Sequence, residues 1–255
     1  MTVNSYLTSR ASDAVLSAAE QGSINTSILT LQTRLNSYFG TKLNNHFRFG
    51  SSTRGTILPR KMDSRSDIDY MVVFAETGLT AQTYLNRLRA FVDAYYSSSD
   101  IQQSSPTIVL ELNHIKFDLV PALSGAWSGY KIPDSKGGWQ TTDPNDFNKK
   151  LSDKNAQNYS LIKPTIRLVK FWNAQNGYVF DSYSLEKWIV DQSYLFISTQ
   201  RDYLLQTFEK LPTPTDTLWQ KEKVERAKKI VAEVRRLEGE NMPYSAEAEV
   251  KKLIP

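Results

Sequence analysis

The chain has 255 residues, 40% of them hydrophobic and 11% aromatic, enough apolar material for one large domain or two closely packed lobes. Its formal charge of +4, from 31 basic and 27 acidic residues, is a mild surplus that suits triphosphate substrates as well as nucleic acid. With no cysteine, disulfides, thiolate nucleophiles and Cys/His zinc sites are excluded, so a catalytic metal must sit on oxygen ligands. The start of the chain lacks the apolar core of a secretory leader, and no run approaches the ~18 apolar residues of a membrane helix. A soluble, cytoplasmic protein without membrane contact is the expectation.

Residues 5–37 carry Leu7, Ala11, Val15 and Ala18, then Ile28, Leu31 and Leu35, at helical spacing, and Gln21-Gly22-Ser23 marks a break between two helices. Residues 45–49 alternate polar and apolar as a strand, a loop with two Gly and one Pro follows over 50–66, and residues 67–74 form a second strand that ends in Val-Val-Phe. Thr80 caps a helix running to Tyr95, with Leu85, Leu88, Phe91, Val92 and Tyr95 on one face. Residues 107–112 and 115–120 read as a hairpin turning at Asn113-His114. Residues 124–150, rich in Gly, Ser, Asp, Pro and Trp, show no period and are expected to be a long loop, with Trp127 and Trp139 placed as packing residues. From Asn155 onward the chain reads as helices through Leu161 to Trp172, Leu185 to Leu195 and Trp219 to Leu237, with Pro164 starting or kinking the first. The sum is a mixed sheet over roughly residues 40–123, embraced by helices from both ends of the chain.

The chemistry concentrates at Gly50-Ser51 and at Asp67-Ile68-Asp69. Alternate residues of a strand share a face, so Asp67 and Asp69 present neighbouring carboxylates. In the later hairpin Asp118 emerges with Lys116 and Val120 on one face of an otherwise apolar strand. Three carboxylates on one sheet suit a two-metal phosphoryl or nucleotidyl transfer site, and Mg²⁺ takes a few carboxylates together with substrate phosphates and waters. Glycine lets the backbone approach a phosphate, and a serine hydroxyl with successive N–H groups completes an anion nest. A lone Asp-x-Asp often only caps a turn; it is the conjunction with Gly50-Ser51 and Asp118 that carries weight. His46 and His114 are read as structural, and Asp118 is the better general-base candidate.

Gly50-Ser51 with Arg54-Gly55-Thr56, then Ser66-Asp67-Ile68-Asp69, then Asp118, resembles the nucleotidyltransferase core of the polymerase-beta superfamily. The segment Ile166-Arg167-Leu168-Val169-Lys170-Phe171-Trp172-Asn173, followed by Asp181-Ser182-Tyr183-Ser184-Leu185-Glu186, resembles the helical half of the bacterial cyclic GMP-AMP synthase-like nucleotidyltransferases, the CD-NTase or SMODS type. The tail from Glu238 is similar to the small closing helices of such proteins. The resemblance implies an α/β (α+β) fold with a sheet lobe, a helical lobe and the active site in the cleft between them, divided as N-terminal helices over 1–40, catalytic core over 41–150 and helical lobe over 151–255. It implies two Mg²⁺ ions, with Mn²⁺ as the substitute, on Asp67, Asp69 and Asp118. Gly50 and Ser51 bind substrate; Lys170 and Ser182 hold the donor triphosphate and Tyr183 stacks on the base. Each role makes physical sense: lysine is a compact charge for phosphate, and a tyrosine ring is a sequence-tolerant stacking face.

The implied activity is synthesis of short cyclic or linear nucleotide oligomers from nucleoside triphosphates, as a signal in anti-phage defence read by an effector protein. The same core also serves AMP transfer to proteins, tRNA extension and template-independent or protein-primed polymerases of linear DNA or RNA, and a silent nucleotide-binding module is a further alternative. No Cys/His insertion is present, so activation by nucleic acid is not expected. Base, sugar, product length and oligomeric state stay open.

Overall fold

A computed structural model describes the chain apart from residues 1, 98, 105, 106, 126–128, 145 and 216; Trp127 therefore lies outside the described residues. The chain folds as two compact units, one of Leu16–Arg60 with Ser64–Asn148, the other of Met1–Val15, Lys61–Asp63 and Lys149–Pro255.

The first unit is built on a mixed sheet. Helix α2 (Ala18–Phe39) leads through a 3-10 turn (Gly40–Lys42) into β1 (Leu43–Arg48). Four residues form α3 (Ser51–Arg54), inside the stretch expected to be loop, and β2 (Asp67–Phe74), α4 (Ala81–Tyr95), β3 (Asp100–Ser104), β4 (Thr107–Glu111) and β5 (Lys116–Ser124) follow. The order is β1-β2-β5-β4-β3. β2 and β5 run parallel at the centre, in the register Asp67↔Lys116, Asp69↔Asp118 and Met71↔Val120. β1 pairs antiparallel with β2, and β4 antiparallel with β5, placing Glu111 opposite Lys116.

The period-2 pattern of the central strands sorts their side chains between two faces. Ile68, Tyr70, Val72 and Phe74 of β2, with Phe117 and Leu119 of β5, are buried with Ile24, Ile28, Leu31, Leu35 and Phe39 of α2 and Tyr84, Leu85, Leu88, Phe91 and Val92 of α4. Phe39 meets Phe74 edge-on at 5.4 Å between ring centroids, a favoured aromatic geometry. The opposite face carries the acids near the strand starts and a small cluster of Met71, Val73 and Ala122 farther along. Both histidines make side-chain hydrogen bonds within this unit. His46 Nδ1 lies 2.8 Å from the Tyr70 hydroxyl and Nε2 3.0 Å from Asn36 Oδ1, and His114 Nε2 lies 3.0 Å from Ser27 Oγ.

Three expectations need correction. The helical lead-in breaks at residues 14–17, not at Gln21-Gly22-Ser23: Ser17 and Glu20 close a capping box that starts α2, and Gly22 sits on the helix's exposed side with open space around it. The stretch 124–150 is not a long loop. Its β6 (Tyr130–Pro133) and β7 (Trp139–Thr142) form a hairpin that pairs with the end of β5, and Trp139 packs edge-on against Tyr84 at 5.6 Å. The sheet therefore extends well past residue 123.

The second unit is helical. It holds α1 (Val3–Asp13), most of α5 (Asp146–Gln157), α6 (Ile162–Gln175), α7 (Ser182–Asp191), α8 (Gln200–Lys210), α9 (Leu218–Gly239) and α10 (Pro243–Val250). Helical structure thus resumes at Asp146, ahead of the expected Asn155, and Pro164 sits in the first turn of α6, where it interrupts no hydrogen bond. α6 is the hub, buried nearly all round from Ile162 to Asn173, and Trp172 meets Phe208 of α8 edge-on at 5.3 Å. Among the described residues, no helix is long and apolar enough to cross a membrane.

Candidate active site

The sequence motif resolves into a strand end, one helical turn and a second strand. Gly50 follows β1 with φ +72° and ψ −153°, a conformation that side chains disfavour, and its carbonyl accepts hydrogen bonds from the amides of Thr53 and Arg54. A second constraint comes from Asp69. A Cβ at position 50 would fall 1.8 Å from Asp69 Oδ2, so the absence of a side chain lets the carboxylate lie against the backbone. Phe49 N–H donates to the Asp69 carbonyl at 3.0 Å, which locks the loop to β2. Gly55, with φ +72°, closes the turn, and the Arg54 guanidinium, buried, lies 5.6 Å from the Phe147 ring centroid.

The three acids come together through the parallel register. Asp69 and Asp118 are partners on β2 and β5, and Asp67 precedes Asp69 by two residues on the same face. A fourth group joins them. Lys116, on the same face of β5 as Asp118, places its Nζ 3.1 Å from Asp67 Oδ2 and 3.4 Å from Asp118 Oδ1. Asp118 Oδ1 is buried, and the Lys116 ammonium meets it at 3.4 Å, a long contact that compensates its charge but makes at best a weak hydrogen bond. Burial, and then the Asp67 carboxylate, push Asp118 up to about 6 against the pull of Lys116. Burial draws Lys116 downward, but Asp67 and Asp118 together outweigh it and hold the ammonium above its ordinary value.

The donor chemistry fits a hard divalent cation: carboxylate oxygens on one face, the buried Asp118 Oδ1 among them met at 3.4 Å by an ammonium. The cluster is not preset as a closed cage. Among the described residues no three His, Cys, Asp or Glu side chains already stand at metal-holding spacing, and a lysine stands between two of the acids.

The helical unit holds the other three predicted residues. Lys170, on α6, is buried and its Nζ lies 2.9 Å from Oε1 of Glu186, itself buried on α7. Asn173 donates to the Phe180 carbonyl and accepts from the Phe180 amide, both at 2.9 Å, fixing the loop that delivers α7. Asp181 caps α7 by accepting from the Ser184 amide at 2.7 Å. Ser182 and Tyr183 therefore sit in the first turn, with the Tyr183 ring 41% exposed and Lys187 Nζ 5.4 Å from its centroid. Glu186, Asn173 and Lys116 join the predicted residues; the i, i+3 spacing of Lys170 and Asn173 on one helix is the sequence signal for Asn173, and the shared face of Lys116 with Asp118 is that for Lys116, whereas no local spacing marks Glu186.

A family model, the Second Messenger Oligonucleotide or Dinucleotide Synthetase (SMODS) domain, matches residues 1–155, more than half of the chain. The chain belongs to the SMODS family. A curated relative from Bacillus cereus (strain VD146), named "Probable cyclic nucleotide synthase", is 26% identical over 206 residues, covering 65% of this chain and 61% of the relative's own length. The SMODS chain thus spans about three-fifths of that relative. Among solved structures, Vibrio cholerae DncV cyclic AMP-GMP synthase with the linear intermediate pppA(3′,5′)pG is similar with a TM-score of 0.76 at 10% identity, covering 99% of this chain and 95% of that one. The Bradyrhizobium diazoefficiens CD-NTase CdnG in complex with GTP gives 0.73 at 11% identity, covering 99% and 98%. At such identities the likeness is one of fold, and it agrees with the expected sheet-plus-helices α/β class.

Two substitutions probe this geometry. Gly50→Ala forces both the backbone and Asp69 to move, and is expected to lower unfolding stability by about 2–4 kcal/mol in a denaturant titration; a loss below about 0.5 kcal/mol would contradict the close packing. Because the folded state raises the Asp118 carboxyl, its charge costs stability above pH 6, and the cost vanishes as pH falls below the unfolded carboxyl's range. Asp118→Asn in EDTA is therefore expected to be more stable to denaturant than the wild type at pH 8, by about 1–2 kcal/mol after discounting for partial exposure, with the gain shrinking toward pH 4.5. A lower stability at pH 8 would show that the carboxylate is not strained.

Proposed function

We propose that this SMODS protein is a nucleotidyltransferase that joins nucleoside triphosphates into short oligonucleotides, cyclic or linear, as a second messenger in anti-phage defence. The observation that carries this reading is the central parallel register, which sets Asp69 beside Asp118, with Asp67 on the same face and Asp69 packed onto Gly50. That arrangement puts negative charge and a side-chain-free backbone where a triphosphate and its cations would be handled.

In the proposed reaction the 3′-hydroxyl of an acceptor nucleotide attacks the α-phosphorus of a donor triphosphate. The new P–O bond forms as the bond to the β-phosphate's bridging oxygen breaks, and pyrophosphate leaves with that electron pair. The hydroxyl proton passes to the Asp118 carboxylate, acting as general base beside the attacking hydroxyl. Two Mg²⁺ ions held by Asp67, Asp69 and Asp118, or Mn²⁺ in their place, would neutralise the triphosphate and acidify the attacking hydroxyl. Backbone amides around Gly50 and the Ser51 hydroxyl serve as phosphate donors. In the helical unit, Lys170 is proposed to meet the triphosphate as an ammonium oriented by Glu186, with Ser182 as a hydroxyl donor and Tyr183 as the base-stacking ring. The product's reader is proposed to be an effector protein.

The test is incubation of the purified protein with all eight ribo- and deoxyribonucleoside triphosphates and Mg²⁺, with mass spectrometry of the products. New short oligonucleotides, absent from an Asp67→Ala/Asp69→Ala control, are expected, and their masses report sugar, base, length and closure together. Nucleotide label on the protein itself without free oligomers, or product undiminished in the control, would overturn the reading.

A further inference from the structure

Lys116 occupies an unusual place for a positive charge beside three acids proposed to handle cations. It lies directly beside Asp67 in the parallel register and two residues before Asp118 on the same face. Its Nζ stands 3.1 Å from one carboxylate and 3.4 Å from the other, with the side chain only 22% exposed. The acid on its other side does not compete for it. Glu111 is opposite Lys116 across β4 and β5, but pairs with Arg60 at 2.6 Å. The ammonium is therefore committed to the same oxygens that a divalent cation would need.

A single positive charge at this distance relieves the repulsion between Asp67 and Asp118 as a bound ion would, but it offers no coordination site and cannot leave the chain. A divalent ion approaching those oxygens meets a like charge a few ångströms away, an interaction that water screens only in part at these half-buried side chains. The geometry points to Lys116 as the resident counter-ion of the carboxylate cluster: it competes with divalent cations for Asp67 and Asp118, and so weakens cation binding by the nucleotide-free protein. This rests on the reading that Asp67, Asp69 and Asp118 are the cation ligands. It makes Lys116 a positioning residue, acting through the acids.

The sign of one measurement separates this role from a merely structural one. If Lys116 only held the acids in place, neutralising it would let them separate and weaken cation binding; if it competes, neutralising it tightens binding. The experiment titrates Mn²⁺ into the full-length, nucleotide-free protein and follows the free ion by electron paramagnetic resonance, comparing wild type, Lys116→Met, Lys116→Gln and the charge-keeping Lys116→Arg. Both neutral variants are expected to bind Mn²⁺ on the order of tenfold more tightly, with Lys116→Arg close to wild type. In EDTA the neutral variants should melt below wild type, and Mn²⁺ should restore them. Equal or weaker binding in the neutral variants, or none, overturns the inference. Adding Asp67→Asn and Asp69→Asn to Lys116→Met distinguishes the two levels. Retention of tight Mn²⁺ binding in that triple variant would place the ions elsewhere and remove the underlying reading, whereas loss in the triple without tightening in Lys116→Met would remove only the role of Lys116.

Discussion

The parallel pairing of β2 with β5 is the constraint on which the rest of the site depends. Neither strand alone makes the acidic cluster: Asp67 and Asp69 lie on one, Lys116 and Asp118 on the other, and only the register Asp67↔Lys116 and Asp69↔Asp118 brings them side by side. That register is held from the opposite face, where Ile68, Tyr70, Val72, Phe117 and Leu119 are buried under α2 and α4. Because side chains alternate, a slip of one residue would send these apolar groups toward the charged face and the acids into the core. Hydrophobic burial on one side of the sheet thus fixes electrostatics on the other.

The strain at the site follows from the same register. Asp118 keeps a buried oxygen met only by a long contact to Lys116, and its carboxyl is pushed up to about 6, a local cost within an otherwise well-packed sheet. Gly50 adds a second local cost, a left-handed backbone against which Asp69 lies. Weakly satisfied groups and disfavoured backbone gathered at one end of two neighbouring strands are what a site prepared for a charged ligand looks like when they are supported by a dense core. In the helical unit the logic differs. Lys170 is matched by Glu186, and the approach to α7 is pinned by Asn173.

Much of this was legible in the sequence. The run Asp67 to Phe74 carries its own alternation and is a strand over those residues, Thr80 caps α4 as its hydroxyl predicts, and the hairpin turning at Asn113-His114 delivers Asp118 to the expected face. What the sequence did not disclose was mostly long-range. Asp118 was expected on a strand neighbouring Asp67 and Asp69, and it is; the parallel direction and the register of that pairing, with a strand some fifty residues away, are encoded by no local period. β3 is an exposed, polar edge strand with no apolar alternation to betray it, and β6 and β7 were hidden by glycine-rich flanks. Gly22 does not break α2, because an exposed glycine with nothing packed on it is tolerated inside a helix started by a capping box. Lys116 shares the face of Asp118 as the alternation predicts, but its bond to Asp67 depends on the register, which no local pattern carries.

The central claim is that the carboxylates aligned by β2 and β5 are the cation and triphosphate site. It is tested most directly by a crystal structure with Mn²⁺ and a non-hydrolysable nucleoside triphosphate, using anomalous scattering to locate the ions. The account predicts anomalous peaks ligated by Asp67, Asp69 and Asp118, phosphate against Gly50 and Ser51, and the Lys116 ammonium moved off the acids. Ions and triphosphate bound away from these three carboxylates would contradict it.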